Sequence, residues 1–234
     1  MFAFRPSVLL VLLLVCGCDR DDSPSAAGPV VSTPGKGIIR GQVILSGIAP
    51  ARKIIPGTPN VMDETLVVSA GGGLKNVIVF LADAPRTSFT LQTPAVLDQI
   101  NCTFVPHVLA VQAGQPMILK SSDVMMHNMD LESVANPPRN FHFAGPSQGD
   151  YVLNLPEDPF PVKCDVHPWM KAWIGVFAHP WFAVTDADGN FVIQGVPPGQ
   201  YTLAAWQEVL PQQEQKIVVS EQNPTDVKFT FQAP

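Results

Sequence analysis

The spacing of turn residues is the strongest constraint on this chain. Seventeen glycines and twenty-four prolines are spread along 234 residues. They cut the apolar sequence into short runs: IIRGQVILS, LKNVIVFLA, HVLAVQA, MKAWIGVFA, NFVIQGV, YTLAAW, QKIVVS and DVKFTF. Proline removes a backbone donor and glycine weakens a helix interior, so such a chain does not sustain long helices. No window carries a lasting 3.6-residue period. The runs are rich in Val, Ile, Phe and Thr and are bounded by Gly, Pro, Asp or Asn, as strands between reversals are. The expected fold class is all-β, of sandwich type.

The N-terminus predicts the compartment. MFAFR is a short basic start, and PSVLLVLLLV is an apolar run of signal-peptide length. It is too short to cross a bilayer, which takes about 20 apolar residues. The following VCGC resembles a bacterial lipobox, which implies that residues 1–17 form a lipoprotein signal peptide and that Cys18 is lipidated. Cys16 is the poorer candidate because Val15 precedes it, and a plain signal cleaved near Gly17 is the alternative. Residues 18–37 are rich in Asp, Ser, Pro and Gly and read as a flexible tether. The expected location is the bacterial cell envelope, on the periplasmic or outer face, with the membrane reached through the N-terminal lipid.

The formal net charge is −6, and no basic stripe is present, so no nucleic-acid partner is expected. Neither an acid/base pair nor a nucleophile–base motif stands out, so the chain is not expected to be an enzyme.

The chemistry-bearing residues gather in KCDVHPWMKAW, where Cys164, His167 and Met170 follow one another at intervals of three. One tight loop can present all three side chains to a single ion. His127, in SSDVMMHN just after an apolar run, is the candidate fourth ligand. Two imidazoles and a thiolate in a plane, with a weak axial thioether, suit both copper(I) and copper(II), so little moves when the charge changes. The expected cofactor is one copper ion in a type 1 site. Two alternatives stand beside it. Cys102 and Cys164 could pair as a disulfide in an oxidising compartment, or Cys102 could join His107 in a second metal role. Met125, Met126 and Met129 around His127 read as loop and core packing, with a copper(I)-capture role as the alternative.

Two resemblances extend this reading. FVPHVLAVQAGQPMILKSSDVMMHNMDL followed by CDVHPWM resembles the cupredoxins, and the second stretch is similar to an amicyanin-type ligand loop. The resemblance implies a Greek-key sandwich over residues 87–179. It further implies equatorial His127, His167 and Cys164, axial Met170, and Asn128 hydrogen-bonding the two ligand loops together. The C-terminal FAVTDADGNFVIQGVPPGQYTLAAWQE resembles the carboxypeptidase-regulatory, transthyretin-like β domains. That likeness implies a second sandwich, split between residues 38–86 and 180–234. Its Asp188-Gly189 pair is expected to join two strands as a hairpin, and Pro-Pro-Gly to make the next turn. The function so implied is extracytoplasmic electron transfer between a donor and an acceptor redox protein. A copper chaperone or scavenger without redox turnover, and a structural sandwich holding a Cys102–Cys164 disulfide, are the alternatives.

Overall fold

The structure is a computed structural model that describes residues 31–58 and 60–234. The signal segment, Cys16, Cys18 and the tether up to residue 30 lie outside the described residues. The protein is all-β, with sixteen strands and no helix among the described residues. In chain order they are β1 (Gly37–Ser46), β2 (Ile78–Leu81), β3 (Ala95–Ile100), β4 (Thr103–Val105), β5 (Val108–Gln112), β6 (Pro116–Ser121), β7 (His127–Leu131) and β8 (Arg139–Phe143). There follow β9 (Ser147–Val152), β10 (Glu157–Lys163), β11 (Lys171–Phe177), β12 (Phe182–Val184), β13 (Asn190–Val196), β14 (Gly199–Trp206), β15 (Gln213–Val219) and β16 (Thr225–Gln232).

The strands form four sheets, ordered β13-β1-β16, β12-β2-β14-β15, β5-β11-β10-β7-β8 and β4-β3-β6-β9. Strand periodicity stacks them in that order. In β1 the alternation sends Ile39, Val43 and Leu45 inward, where they meet Val79 and Leu81 of β2 and Leu203 of β14. In the other sandwich Leu97, Met117 and Leu119 face Val111, Met129, Leu131, Val162 and Ile174. The two middle sheets are apolar on both faces. Val79 and Leu81 enter the first core, while Ile78 and Phe80 point the other way, against Val108, Ala110, Trp173 and Phe177 of β5 and β11. Gly175 sits in this junction, where an added Cβ would lie 3.1 Å from the Ile78 side chain. Sheets buried on both faces read as near-continuous apolar runs, which is why LKNVIVFLA and AWIGVF show little alternation.

Two local expectations are corrected. The tether ends earlier than residue 37. Val31 exchanges hydrogen bonds with Arg86 and Ser88 (3.0 Å each) and packs on the first core, the Gly35 N–H donates to the Gly195 carbonyl at 2.9 Å, and Gly37 lies in β1. One apolar side chain and a glycine with room to approach are enough to dock the segment. The Asp188-Gly189 turn exists, but it joins no hairpin. β12 pairs with β2 and β13 pairs with β1, so the chain crosses from one sheet to the other there, and it crosses back at Pro197–Pro198. Turn chemistry reverses the chain; apolar faces decide which sheet receives the next strand.

Gly189 holds φ +77°, and a Cβ there would lie 2.2 Å from the Val43 carbonyl oxygen. Gly189→Ala is expected to destabilise the protein by about 2 kcal/mol or more, read as a lower urea midpoint at unchanged slope.

Candidate metal centre

The expected ligands converge because β7, β10 and β11 are neighbours. β10 and β11 pair antiparallel, Lys163 against Lys171, so residues 164–170 form the loop between them. The Met170 N–H donates to the His167 carbonyl (2.8 Å), and the Cys164 N–H donates to the Met170 carbonyl (3.3 Å), which closes the loop into one tight turn. β7 pairs with β10 through Leu131–Val162 and Asp130–Lys163, which delivers His127 from the neighbouring strand.

Cys164 Sγ lies 3.8 Å from His127 Nδ1 and 3.8 Å from His167 Nδ1, and the two nitrogens are 2.9 Å apart. A first-row ion bound at about 2.0–2.1 Å to imidazole and about 2.3 Å to thiolate bridges separations up to roughly 4 Å, so this triangle fits a single ion. His127 is fully buried, Cys164 is 2% exposed and His167 is part-buried. Met170 is buried beside Cys164 in the same core. Burial, and secondarily the neighbouring His127, holds the His167 imidazole below its ordinary range.

Asp123, to which sequence reading assigned no role, sets the tautomer. Its Oδ2 lies 3.0 Å from His127 Nε2. An ionised carboxylate only accepts, so Nε2 carries the hydrogen and Nδ1 keeps a lone pair aimed at Cys164 and His167. Burial alone would raise the Asp123 carboxyl, but the N–H groups of Cys102 and Asn101, with His127, hold it below the usual range.

Asn128 links the two ligand segments. Its Oδ1 accepts the Asp165 N–H at 2.7 Å, and its Nδ2 donates to Asp165 Oδ2 at 2.7 Å and to Asn140 Oδ1 at 2.9 Å. Gln99 Nε2 holds the Asn128 carbonyl at 2.9 Å. Trp169 stands beside the site, donating from Nε1 to the Cys102 carbonyl at 3.1 Å, with its ring edge-on to His167 at 5.1 Å.

Cys102 and Cys164 form no disulfide. Both are free and buried, because Cys164 Sγ faces two imidazoles while Cys102 Sγ faces Met125 Sδ at 3.1 Å. The pairing of Cys102 with His107 is also corrected. His107 Nε2 lies 2.5 Å from Glu208 Oε1, in the junction between the sandwiches, and the metal-capable neighbours of Cys102 are Asp123 and His127. Of the three methionines, Met129 is fully buried in the core, while Met125 and Met126 are exposed.

Residues 177–232 match the Carboxypeptidase regulatory-like domain family. No curated protein matches the chain. Among solved structures, the chain is similar to a copper-containing nitrite reductase from Thermus scotoductus SA-01, at 16% identity over 58% of this chain and 28% of that one, with a TM-score of 0.34. It is similar to a purple cupredoxin from Nitrosopumilus maritimus, at 18% identity over 35% of this chain and 98% of that one (TM-score 0.31). It is also similar to amicyanin from Paracoccus versutus, at 16% identity over 49% and 99% of the two chains (TM-score 0.32).

Proposed function

We propose that this chain is a type 1 copper electron-transfer protein, held at the bacterial cell envelope by lipid on Cys18, and that it carries electrons between two redox proteins without catalysing a reaction. The observation that carries this reading is the triangle of Cys164 Sγ, His127 Nδ1 and His167 Nδ1, closed by distances of 3.8, 3.8 and 2.9 Å in a buried setting. Met170, buried alongside, would supply a thioether as the fourth donor in this reading.

Copper held by these residues supplies a one-electron couple. The chain's own part is to keep the donors still. Asp123 holds the His127 ring and its tautomer. Asn128 ties the ligand loop to β7 through Asp165. The sandwich core behind Cys164, Met170 and Met129 excludes water. Donors fixed in this way reorganise little when the charge changes.

The copper(II) form is expected to show the intense visible absorption of a copper–thiolate bond. It should also reduce rapidly and reversibly in stopped-flow mixing, with the metal retained. A colourless copper(II) form overturns the reading. A coloured form that loses copper on each reduction favours the chaperone alternative.

Asn128→Ala removes three side-chain hydrogen bonds at once. It is expected to lower copper affinity by about 10–100-fold, the range seen for partners that orient metal ligands, measured by chelator competition. An unchanged affinity would show that the loop holds itself.

A further inference from the structure

A second group of donor atoms lies one imidazole away from the first. Cys102 Sγ, an Asp123 carboxylate oxygen and a ring nitrogen of His127 all lie within 4.8 Å of one another. Met125 adds a thioether, its Sδ 3.1 Å from Cys102 Sγ. The donors come from the turn between β3 and β4 and from the β6–β7 connection. His127 faces both groups, with Nδ1 toward Cys164 and His167 and Nε2 toward Asp123.

The backbone is bent to make this meeting. Asn101 and Cys102 hold φ +53° and +56°, a left-handed conformation that costs roughly 1–2 kcal/mol per non-glycine residue. Asp123 holds the turn by accepting the Asn101 N–H at 2.7 Å and the Cys102 N–H at 2.8 Å. With His127 Nε2 also bound, its carboxylate is committed. The two sulfur atoms are left, engaged only with each other, the Cys102 thiol donating to the Met125 thioether at 3.1 Å. Thiolate and thioether together select a soft monovalent ion over a hard divalent one. The group also opens to solvent, since Val124 is 81%, Met125 44% and Met126 59% exposed.

Resting on the copper reading above, we propose that Cys102 and Met125 form a second copper(I) site, a holding position on the solvent side of the centre. Binding exchanges the Cys102 thiol proton for the metal. The S–H bond of Cys102 and its contact with Met125 break, a thiolate–copper and a thioether–copper bond form as the ion leaves its carrier ligand, the proton passes to solvent and no electron moves.

Anaerobic titration of the full mature chain with copper(I), in competition with bicinchoninate, tests the proposal. Two equivalents are expected in the unsubstituted protein, one in Cys164→Ser and one in Cys102→Ser. The visible band of the copper(II) form is expected to be unchanged in Cys102→Ser. Met125→Leu alters a side chain that is 44% exposed and keeps its apolar bulk. It is expected to weaken the second equivalent by about tenfold or more and to leave the first intact. A single equivalent in the unsubstituted protein, two retained in Cys102→Ser, or an unweakened second equivalent in Met125→Leu overturns the proposal. Failure of the electron-transfer reading looks different: the visible band is absent from every protein while the Cys102-dependent equivalent persists.

Discussion

Cys164→Ser is expected to abolish the visible band of the copper(II) protein and to leave the fold intact. Serine is close in size to cysteine and keeps the Cys164 N–H bond to the Met170 carbonyl, so the loop stays closed. Its hydroxyl is a hard, weakly acidic donor, and copper(I) in particular loses its one strong sulfur partner. Copper affinity should therefore fall by more than about 100-fold, beyond the range typical of residues that only orient ligands. Cys102→Ser is the control, since its sulfur faces Met125 and not the two Nδ1 atoms. If Cys164→Ser retains the band, or if Cys102→Ser loses it, the thiolate has been assigned to the wrong cysteine. Far-UV circular dichroism of the apoproteins separates ligand loss from misfolding, because all of the regular structure described is strand.

How much of this was legible beforehand depended on which residues act locally. The all-β class followed from glycine and proline spacing, since those residues constrain their own backbone wherever they fall. Cys164, His167 and Met170 could be grouped because three-residue steps keep them in one turn. Their nearness to His127 rests on the β7–β10 register, which no single segment encodes. Asp123 stayed hidden for that reason. In SSDVMMHN it reads as an ordinary turn residue, and only the fold places its Oδ2 against His127 Nε2. The crossing at Asp188-Gly189 was missed because a tight turn between two alternating runs looks the same whether the strands pair or part. Glu208 was equally silent. A glutamate near a strand end reads as solvent-facing, yet its side chain is only 3% exposed.

That glutamate carries the largest expected effect on stability. Glu208 follows β14 of the first sandwich and reaches into the second. Its Oε1 lies 2.5 Å from His107 Nε2, and its Oε2 accepts from Trp173 Nε1 at 2.8 Å and lies 3.5 Å from Lys171 Nζ. Lys171 also lies over the Trp173 ring, 4.2 Å from its centroid, and Trp173 meets Trp206 edge-on at 5.3 Å. One carboxylate thus holds the start of β11, directly after Met170, to the neighbouring sandwich. Glu208→Ala leaves the buried His107 and the part-buried Trp173 donor without their partner. Breaking a buried pair from one side costs about 3–5 kcal/mol, to be read from the urea midpoint at unchanged slope. The loss should depend on pH with a definite sign. Burial alone would raise the Glu208 carboxyl, but His107, Trp173 and Lys171 outweigh it and hold it below the ordinary glutamate range. A depressed carboxyl stabilises the fold fully above its unfolded value, about 4.3, and the contribution fades as pH falls through the lower folded value. Through this carboxyl, the gap between the unsubstituted protein and Glu208→Ala is therefore expected to narrow as pH falls below about 4. A gap under about 1 kcal/mol, the scale of an exposed ion pair, would show the carboxylate to be a surface contact. A gap that widens in acid would mean that the carboxyl is held protonated in the junction.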